Sequence, residues 1–493
     1  MGYYIIIVAL VVAMGGFVFG VDSGIMGTTL GHDTFKLYML GPTLKNPSLI
    51  GAIVSLYNTG QALGTFITGY SADRFSRRWT ICAAGIISTV GAALQTGAAN
   101  VGMMIAGRFI AGLGCGMILA VVPVYIAEVS PPEKRGMIVG LQGMMISIGF
   151  FTANWIGYGG DFATGDAQWR IPLAMQMPGA IALSIGCIFI PYSPRWLIQK
   201  ERYEEAKKTL LALYGDKGED FLTQEFTHIH DQIQLEQTAS RTNFLKAASE
   251  LFSRRYIRRT GTACFILMMG QLSGSTVIQN YQNTFYAAVG FTGRTALLIS
   301  GVYGIMGVVG QVIYLVAVAD KWPRTRTLWV GSLFLCVMIS ICMALSAQFP
   351  AGTTSIAGPR AAIAFIFIYS CGYAVFFNAM VWVVPSELFP FFLRTKGLGL
   401  AVFSKSVVAI VLAQITPVAI QNVGWRYYAL FIATNFAAAF VYYFFLPETM
   451  GKSLEEIAEL FGDAVATEQP GDIDSIKKEN GIIAQSKHAE TSV

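Results

Sequence analysis

Ten stretches of this chain contain no Asp, Glu, Lys or Arg: Asn46–Ala72, Trp79–Gly107, Phe109–Ala127, Gly136–Gly160, Ile171–Pro194, Thr260–Gly293, Thr295–Ala319, Thr327–Pro359, Ala361–Ser386 and Tyr427–Pro447. A helix needs about 20 mostly apolar residues to cross a bilayer, so each stretch is long enough to cross once. Charged residues make up 13% of the 493 positions and hydrophobic ones 54%, too little charge to clothe this much apolar surface in water. Two further stretches, Tyr3–Ile25 and Gly397–Gln421, carry one charge each, Asp22 and Lys405. The expectation is an all-α integral membrane protein with about 12 transmembrane helices.

The cations predict how the chain is threaded. Alternate loops hold Arg74, Arg77 and Arg78; Lys134 and Arg135; the basic stretch Arg195–Arg259; Lys321, Arg324 and Arg326; and Arg394 with Lys396. The opposite loops hold only Lys36, Lys45, Arg170, Arg294, Arg360 and Arg426. Both termini and the central loop are therefore expected in the cytoplasm, and the net charge of +5 reads as topology with no nucleic-acid meaning. The first span lacks a basic flank and a small-residue cleavage site, so it is expected to stay on the protein. The Met-Gly start does not fit the myristoylation pattern, since Ile6 stands where Ser or Thr is wanted.

The polar segment Arg195–Arg259 separates two sets of six spans. Within it Glu201–Leu213 alternates charge and apolar residues at helical spacing, as a surface helix does. This divides the chain into an N-terminal six-helix bundle (1–194), a cytoplasmic linker with short helices (195–259), a C-terminal six-helix bundle (260–447) and a cytoplasmic tail (448–493), mostly disordered from about Gly462. The halves repeat one charge signature. Asp73-Arg74-x-x-Arg77-Arg78 follows the second span and Asp320-Lys321-x-x-Arg324 the eighth. Glu128 precedes Arg135 by seven residues after the fourth span, and Glu387 precedes Arg394 by seven after the tenth. A duplicated six-helix unit is the expectation.

Asp22 and Arg108 are the acid and the arginine lying well inside spans. Ionised groups in the bilayer interior are costly, so they pair, face a cavity and mark pathways. A structural ion pair clamping the first and fourth spans, or an Asp22 at the lipid interface, are the plain readings. The functional one is a carboxyl held between burial, which favours its neutral form, and a cation, which favours its charged form, so that it binds and releases a proton as the protein changes shape. The seven cysteines all fall in spans and imply no disulfide framework, and the four histidines sit in loops or the tail without metal-ligand company.

Four motifs carry a resemblance: Gly69-x-x-x-Asp73-Arg74-x-x-Arg77-Arg78, Pro123-x-Tyr125-Ile126-Ala127-Glu128, Pro191-Tyr192-Ser193-Pro194-Arg195-Trp196-Leu197, and Pro447-Glu448-Thr449-x-Gly451-Lys452-Ser453-Leu454-Glu455-Glu456. In this order, at these helix ends, they resemble the sugar porters of the major facilitator superfamily, and fungal sugar permeases in particular. The resemblance implies the major facilitator fold and alternating access. It implies that Asp73, Arg77, Arg78, Glu128, Arg135, Asp320, Arg324, Glu387 and Arg394 form cytoplasmic pairs that hold the bundles together while the site faces outward. Single members of that set also read as ordinary topology-setting charge. Phe19-Gly20-Val21-Asp22 is similar to the family's Phe-Gly-Tyr-Asp, and Gly107-Arg108-Phe109 supplies the partner kept by proton-coupled members.

Sugar recognition needs amides that donate to and accept from hydroxyls, and aromatic faces for C–H patches. On a continuous seventh helix Gln271, Ser275, Gln279 and Gln282 fall within an arc of about 80°, which Thr276, Asn280 and Asn283 extend to about 180°. So wide a polar face points away from lipid, toward other helices or a water-filled cavity. Gln142, Asn378 and Trp382 are further candidates, and Gln142, Gln271 and Trp382 match family positions that touch sugar. The family's Gln-Gln-x-x-Gly-x-Asn reads Gly270-Gln271-Leu272-Ser273-Gly274-Ser275-Thr276 here, Asn280 stands in place of a tyrosine and Asn378 in place of a glycine. The common Asn-Trp or Gln-Trp of the eleventh span reads Lys405-Ser406. Lys405 either snorkels to the interface or adds a cation to the cavity.

The expected activity is proton-coupled symport of a monosaccharide or small oligosaccharide at the plasma membrane, by a monomer with no cofactor and the proton gradient as its driving force. A facilitative uniporter, a carrier of an acidic sugar and a non-transporting sugar receptor are the alternatives. An enzyme is not expected, as the chain has no HExxH, GxSxG or P-loop.

Overall fold

The computed structural model describes residues 3–41, 46–131, 134–215, 218–239, 249–288, 290–349, 357–452, 456–457, 459 and 461. The tail beyond these, and its expected disorder, lie outside the described residues. The spans are Tyr3–Thr29, Pro47–Arg74, Arg77–Thr96, Val101–Val129, Arg135–Gly160, a sixth in two pieces (Ala167–Ala174 and Met177–Gly186), a seventh in two pieces (Ile257–Leu272 and Ser275–Ala288), Gly293–Ile313, Arg324–Gln348, a tenth in two pieces (Ala357–Phe376 and Met380–Glu387), Phe391–Val423 and Tyr428–Phe445. Nine segments among the described residues are long and apolar enough to cross by that measure alone, and one of them, Leu393–Phe445, covers the last two spans. The second span misses the apolar threshold because it carries Ser55, Asn58, Thr59, Gln61, Thr65 and Thr68, and the sixth misses it because it is broken.

The molecule is polar inside and greasy outside, as lipid requires. Phe436, Phe440 and Phe444 of the twelfth span lie on the surface, whereas Asp22, Gln61, Arg108, Gln142, Gln282 and Lys405 are buried. With no hydrophobic drive between helices in lipid, close backbone packing takes over. A Cβ on Gly60 or Gly64 would lie 2.2 Å from a carbonyl of the fourth span, and one on Gly112 or Gly116 would lie 2.1 Å from a carbonyl of the second. Those two spans touch backbone to backbone. Gly20 and Gly149 do the same between the first and fifth.

The halves meet symmetrically. The second span packs on the eleventh, the fifth on the eighth, and the first on the second piece of the seventh. Adding six to each number exchanges the first two contacts, as a duplicated unit predicts. Between the halves run the short helices Pro194–Gln199, Tyr203–Tyr214 and Glu219–Ala239. Tyr203–Tyr214 buries Ala206, Leu210 and Leu213, and Tyr214 donates to the Val129 carbonyl at 3.0 Å, tying this segment to the end of the fourth span.

Three spans are broken, the sixth, the seventh and the tenth. In the seventh, Gly274 takes φ +98°, a left-handed conformation that glycine adopts without strain. The carbonyls freed there are capped by other helices: Thr434 donates to Leu272 (2.7 Å), while Tyr369 and Asn435 donate to Ser273 (3.0 and 3.1 Å). A second kink falls at Tyr281.

Candidate functional site

Three adjoining chambers of about 30, 40 and 50 Å³, the room open to water centres, lie between the halves. Each has space for at least two waters. Phe19 and Gln279 line all three and so partition them.

Gln271, Thr276, Gln279 and Asn280 reach the wall, and Asn378, Trp382 and Lys405 join them. The break at Gly274 corrects the continuous stripe expected of the seventh span. Ser275 turns back to the Gly270 carbonyl (3.4 Å), Gln282 donates to Asn154 Oδ1 of the fifth span (2.7 Å), and Asn283 donates to the Gly27 carbonyl of the first (2.8 Å). These last two close the chamber toward one side of the membrane. Thr276 donates to Gln271 Oε1 at 2.6 Å, which fixes that amide's orientation.

Gln142 does not line these chambers. Its side chain is wholly buried against Gly16, and neither amide atom has a hydrogen-bond partner. Asn378 lines two chambers, and its amide donates toward the Gly143 carbonyl (2.8 Å), Ser147 Oγ (2.9 Å) and Gln311 Oε1 (3.1 Å). It thereby joins the fifth, eighth and tenth spans.

The expected Asp22–Arg108 pair is not a direct one. Asp22 Oδ2 instead accepts from Cys115 Sγ (3.0 Å) and Tyr57 Oη (3.4 Å), and the Arg108 guanidinium lies 4.4 Å from the Tyr57 ring centroid. Tyr57 stands between acid and cation, touching both. Arg108 and Tyr57 line the chamber. Asp22 is 2% exposed, which overturns a place at the lipid interface.

Lys405 does not snorkel. It is 4% exposed, and its Nζ lies 3.5 Å from Gln61 Oε1, 4.8 Å from the Phe19 ring centroid and 5.9 Å from that of Trp382. Phe19, from the first half, and Trp382, from the second, thus flank one ammonium.

The charge motifs form two clusters on the side of the membrane carrying the basic loops. Arg77 contacts Asp73 (3.4 Å) and Glu128 (3.2 Å), and Ser193 donates to Glu128. In the second half Arg324 contacts Asp320 (3.4 Å) and Glu387 (3.4 Å), and Thr449 donates to Glu387 at 2.8 Å. The Glu448 carboxylate accepts the backbone N–H groups of Arg324 and Thr325, capping the ninth span. These four arginine contacts lie within each half. The two motif aspartates, members of the expected set, make contacts that cross between the halves. Asp73 accepts from Lys396 Nζ (2.6 Å) and Thr395 Oγ1 (3.1 Å), and Asp320 accepts from the Met137 N–H (2.8 Å) at the start of the fifth span. Arg78 joins neither cluster; it donates to the Ile188 carbonyl and lies over Tyr192. Arg394 donates to the Phe389 carbonyl (3.3 Å) within its own half, and the Arg135 side chain lies outside the described residues.

Sequence reasoning missed Tyr57 and Phe19 in the chamber wall and Cys115 and Gln61 beside Asp22 and Lys405, and it read Lys396 only as a topology charge. Nothing in the one-dimensional pattern links Cys115 or Tyr57 to Asp22. The repeat did hold a signal for Lys396, since it stands by the eleventh span as Met137 stands by the fifth.

Residues 8–461 match the family model described as sugar (and other) transporter. The chain is 36% identical to the MFS-type transporter criB of Aspergillus cristatus over 92% of both chains. It is 29% identical to a high-affinity glucose transporter of Kluyveromyces lactis (94% of this chain, 86% of that one) and 28% identical to a quinate permease of Emericella nidulans (90% and 85%). In fold it superposes on the proton:xylose symporter XylE bound to 6-bromo-6-deoxy-D-glucose with a TM-score of 0.80, at 23% identity, over 93% of this chain and 99% of that one. Against the inward-open form of XylE from E. coli the score is 0.70, at 23% identity, over 92% and 99%. The contacts between halves described above lie on both sides of the chamber here.

Proposed function

Because the chain belongs to the sugar (and other) transporter family of the major facilitator superfamily, we propose that it imports a small polyhydroxylated solute together with a proton, by alternating access, as a plasma-membrane monomer with both termini in the cytoplasm. The observation that carries the reading is a buried carboxyl, Asp22, bound by Tyr57 and Cys115 next to a chamber rich in amides. A carboxylate so enclosed gains or loses a proton only when a pathway opens, which is what coupling requires.

The chamber chemistry supports a hydroxylated cargo. Amides on Gln271, Gln279, Asn280 and Asn378 face a small volume roofed by Trp382, and such groups read hydroxyls and C–H faces together. The relatives named above include carriers of a neutral sugar and of a polyhydroxylated acid, so their names leave the solute's charge open. Division of labour follows: the first half holds Asp22 and Arg108, and the second holds most solute contacts. The cytoplasmic aspartates Asp73 and Asp320 latch the halves while the chamber faces outward.

Tyr57, lying between Asp22 and Arg108, favours a second reading, a uniporter in which this group is structural. Uptake measured in a transporter-null cell, with and without an uncoupler, separates the two. Symport predicts accumulation above the outside concentration that the uncoupler abolishes. It also predicts that Asp22→Asn exchanges solute across the membrane without accumulating it. Accumulation surviving either treatment would sink the coupling.

A further inference from the structure

We propose that the solute is a polyhydroxylated carboxylate and that Lys405 receives its carboxylate group. This deepens the transport reading above and rests on it. A charged group deep in a membrane protein is expensive unless it meets an opposite charge. Among the described residues no carboxylate oxygen lies within 4.0 Å of Lys405 Nζ. What faces it instead is one amide oxygen, from Gln61, and two ring faces, from Phe19 and Trp382. An ammonium has three donors, so this shell leaves hydrogens for something else, and Lys405 lines the chamber where a solute would sit.

The charge balance of the surroundings points the same way. Arg108 and Lys405 bring two cations to the chamber wall, and the nearby acid is Asp22, already engaged by Cys115 and Tyr57. The other spans that line the chamber around Lys405 contribute uncharged groups, Gln271 and Gln279 from the seventh and Trp382 from the tenth. Protein charges alone therefore leave an excess of positive charge, which one carboxylate would neutralise. A neutral sugar would leave Lys405 enclosed and uncompensated.

The same balance supplies the coupling. Protonating Asp22 cancels the negative charge that the described residues place near the chamber, so an anion binds more tightly to the protonated protein. By linkage, a bound anion favours protonation to the same degree. One proton and one monoanion then cross together, and the loaded carrier moves no net charge on their account.

The test uses the full-length protein in liposomes, with D-gluconate and D-galacturonate set against D-glucose, D-xylose and myo-inositol. Each is measured under an imposed pH gradient and, separately, under an imposed potassium diffusion potential. We expect the acids to be taken up at least tenfold faster than the neutral solutes, driven by the pH gradient and indifferent to the potential. Lys405→Gln should cut acid uptake at least tenfold, and Lys405→Arg should retain more of it than Lys405→Gln. Neutral-solute uptake that responds to the potential, with no acid uptake, overturns this inference and leaves the transport reading standing. Acid and neutral uptake reduced equally by Lys405→Gln also overturns it, because Lys405 would then be structural. No uptake of any of the five overturns both.

Discussion

Lys396 Nζ and Asp73 Oδ2 stand 2.6 Å apart although they lie in different halves of the molecule. Asp320 and the Met137 N–H make the matching contact with the halves exchanged. Asp320 thus sits on the opening turn of a helix from the other half, where a carboxylate meets unpaired N–H groups and the positive end of the helix dipole, whereas Asp73 meets the side chains of Thr395 and Lys396 beyond the first turn of the eleventh span. Closure on the basic side is built twice, from aspartates at matching places in the two halves.

If that closure holds the resting state, removing one arm shifts the balance toward opening. Lys396→Met removes a charge-assisted contact worth roughly 1.5–3 kcal/mol, enough for a population change of about tenfold or more. Spin labels at positions 75 and 321, in the loops after the second and eighth spans, should report a longer distance. An unchanged distance distribution would assign the latch elsewhere.

Gly136→Ala attacks the second arm by volume. A Cβ there would fall 2.2 Å from Asp320 Oδ1 and 2.8 Å from Arg324 Nη2, so the aspartate must withdraw from the start of the fifth span. Overpacking of this kind costs about 1–3 kcal/mol. We expect a lower melting temperature in detergent and slower uptake. Combining it with Asp320→Ala, which removes the clash, should cost less than the two separate losses added together.

Tyr57 offers a graded test of the acid site. Tyr57→Phe keeps a ring under the Arg108 guanidinium and loses only the hydroxyl that reaches Asp22, whereas Tyr57→Leu loses both. A cation–π contact away from water contributes up to about 2 kcal/mol. Accumulation ratios should therefore fall in the order wild type, Phe, Leu. Equal ratios for the two variants would show that the ring contributes nothing.

His32 gives a pH prediction. It follows the first span in a loop and is 2% exposed, and burial pushes its pKa below the ordinary 6.5 despite the opposing pull of Asp161. The unfolded chain then binds the proton first as pH falls. Its contribution to stability is present above the unfolded value near 6.5 and declines below it until the folded pKa is passed, by at most about 1.4 kcal/mol per pH unit. Melting temperature should drop on acidification from pH 7.5 to 5.5, and His32→Gln should flatten part of that slope. A slope unchanged in the variant would clear His32 of any role.

Much of the fold was legible because bilayer insertion depends on local composition. A charge-free run of sufficient length is visible to the eye, and the repeat of Asp73 and Asp320 in the motifs announced two halves. The chamber was legible in residue type but not in geometry. Gln271, Gln279, Asn280, Asn378 and Trp382 came from amide and indole chemistry, yet the wheel drawn through Ser275, Gln282 and Asn283 assumed an unbroken helix. A left-handed Gly274 is favourable only because Tyr369, Thr434 and Asn435 cap the opened carbonyls, and those partners are remote in sequence. Asp22 and Arg108 were found by their cost in lipid, but not the Tyr57 ring and Cys115 thiol that Asp22 and Arg108 touch. Lys405 was recognised as an anomaly, and its direction depended on what Gln61, Phe19 and Trp382 place beside it.

The break at Gly274 gives the seventh span two levers in place of one. Its second piece, Ser275–Ala288, has 14 residues, is kinked again at Tyr281, and carries both Gln279 in the chamber and the Asn283 contact to Gly27. A short arm jointed at Gly274 and Tyr281 can swing without carrying a whole bundle, so solute exchange on that side and reorientation of the halves become two barriers in series. Mutations near Asn283 would then change residence time in the chamber, while mutations at Asp73 or Asp320 would change turnover, and a kinetic experiment that varies solute on each side separately would see two rates where a single rigid rocker shows one.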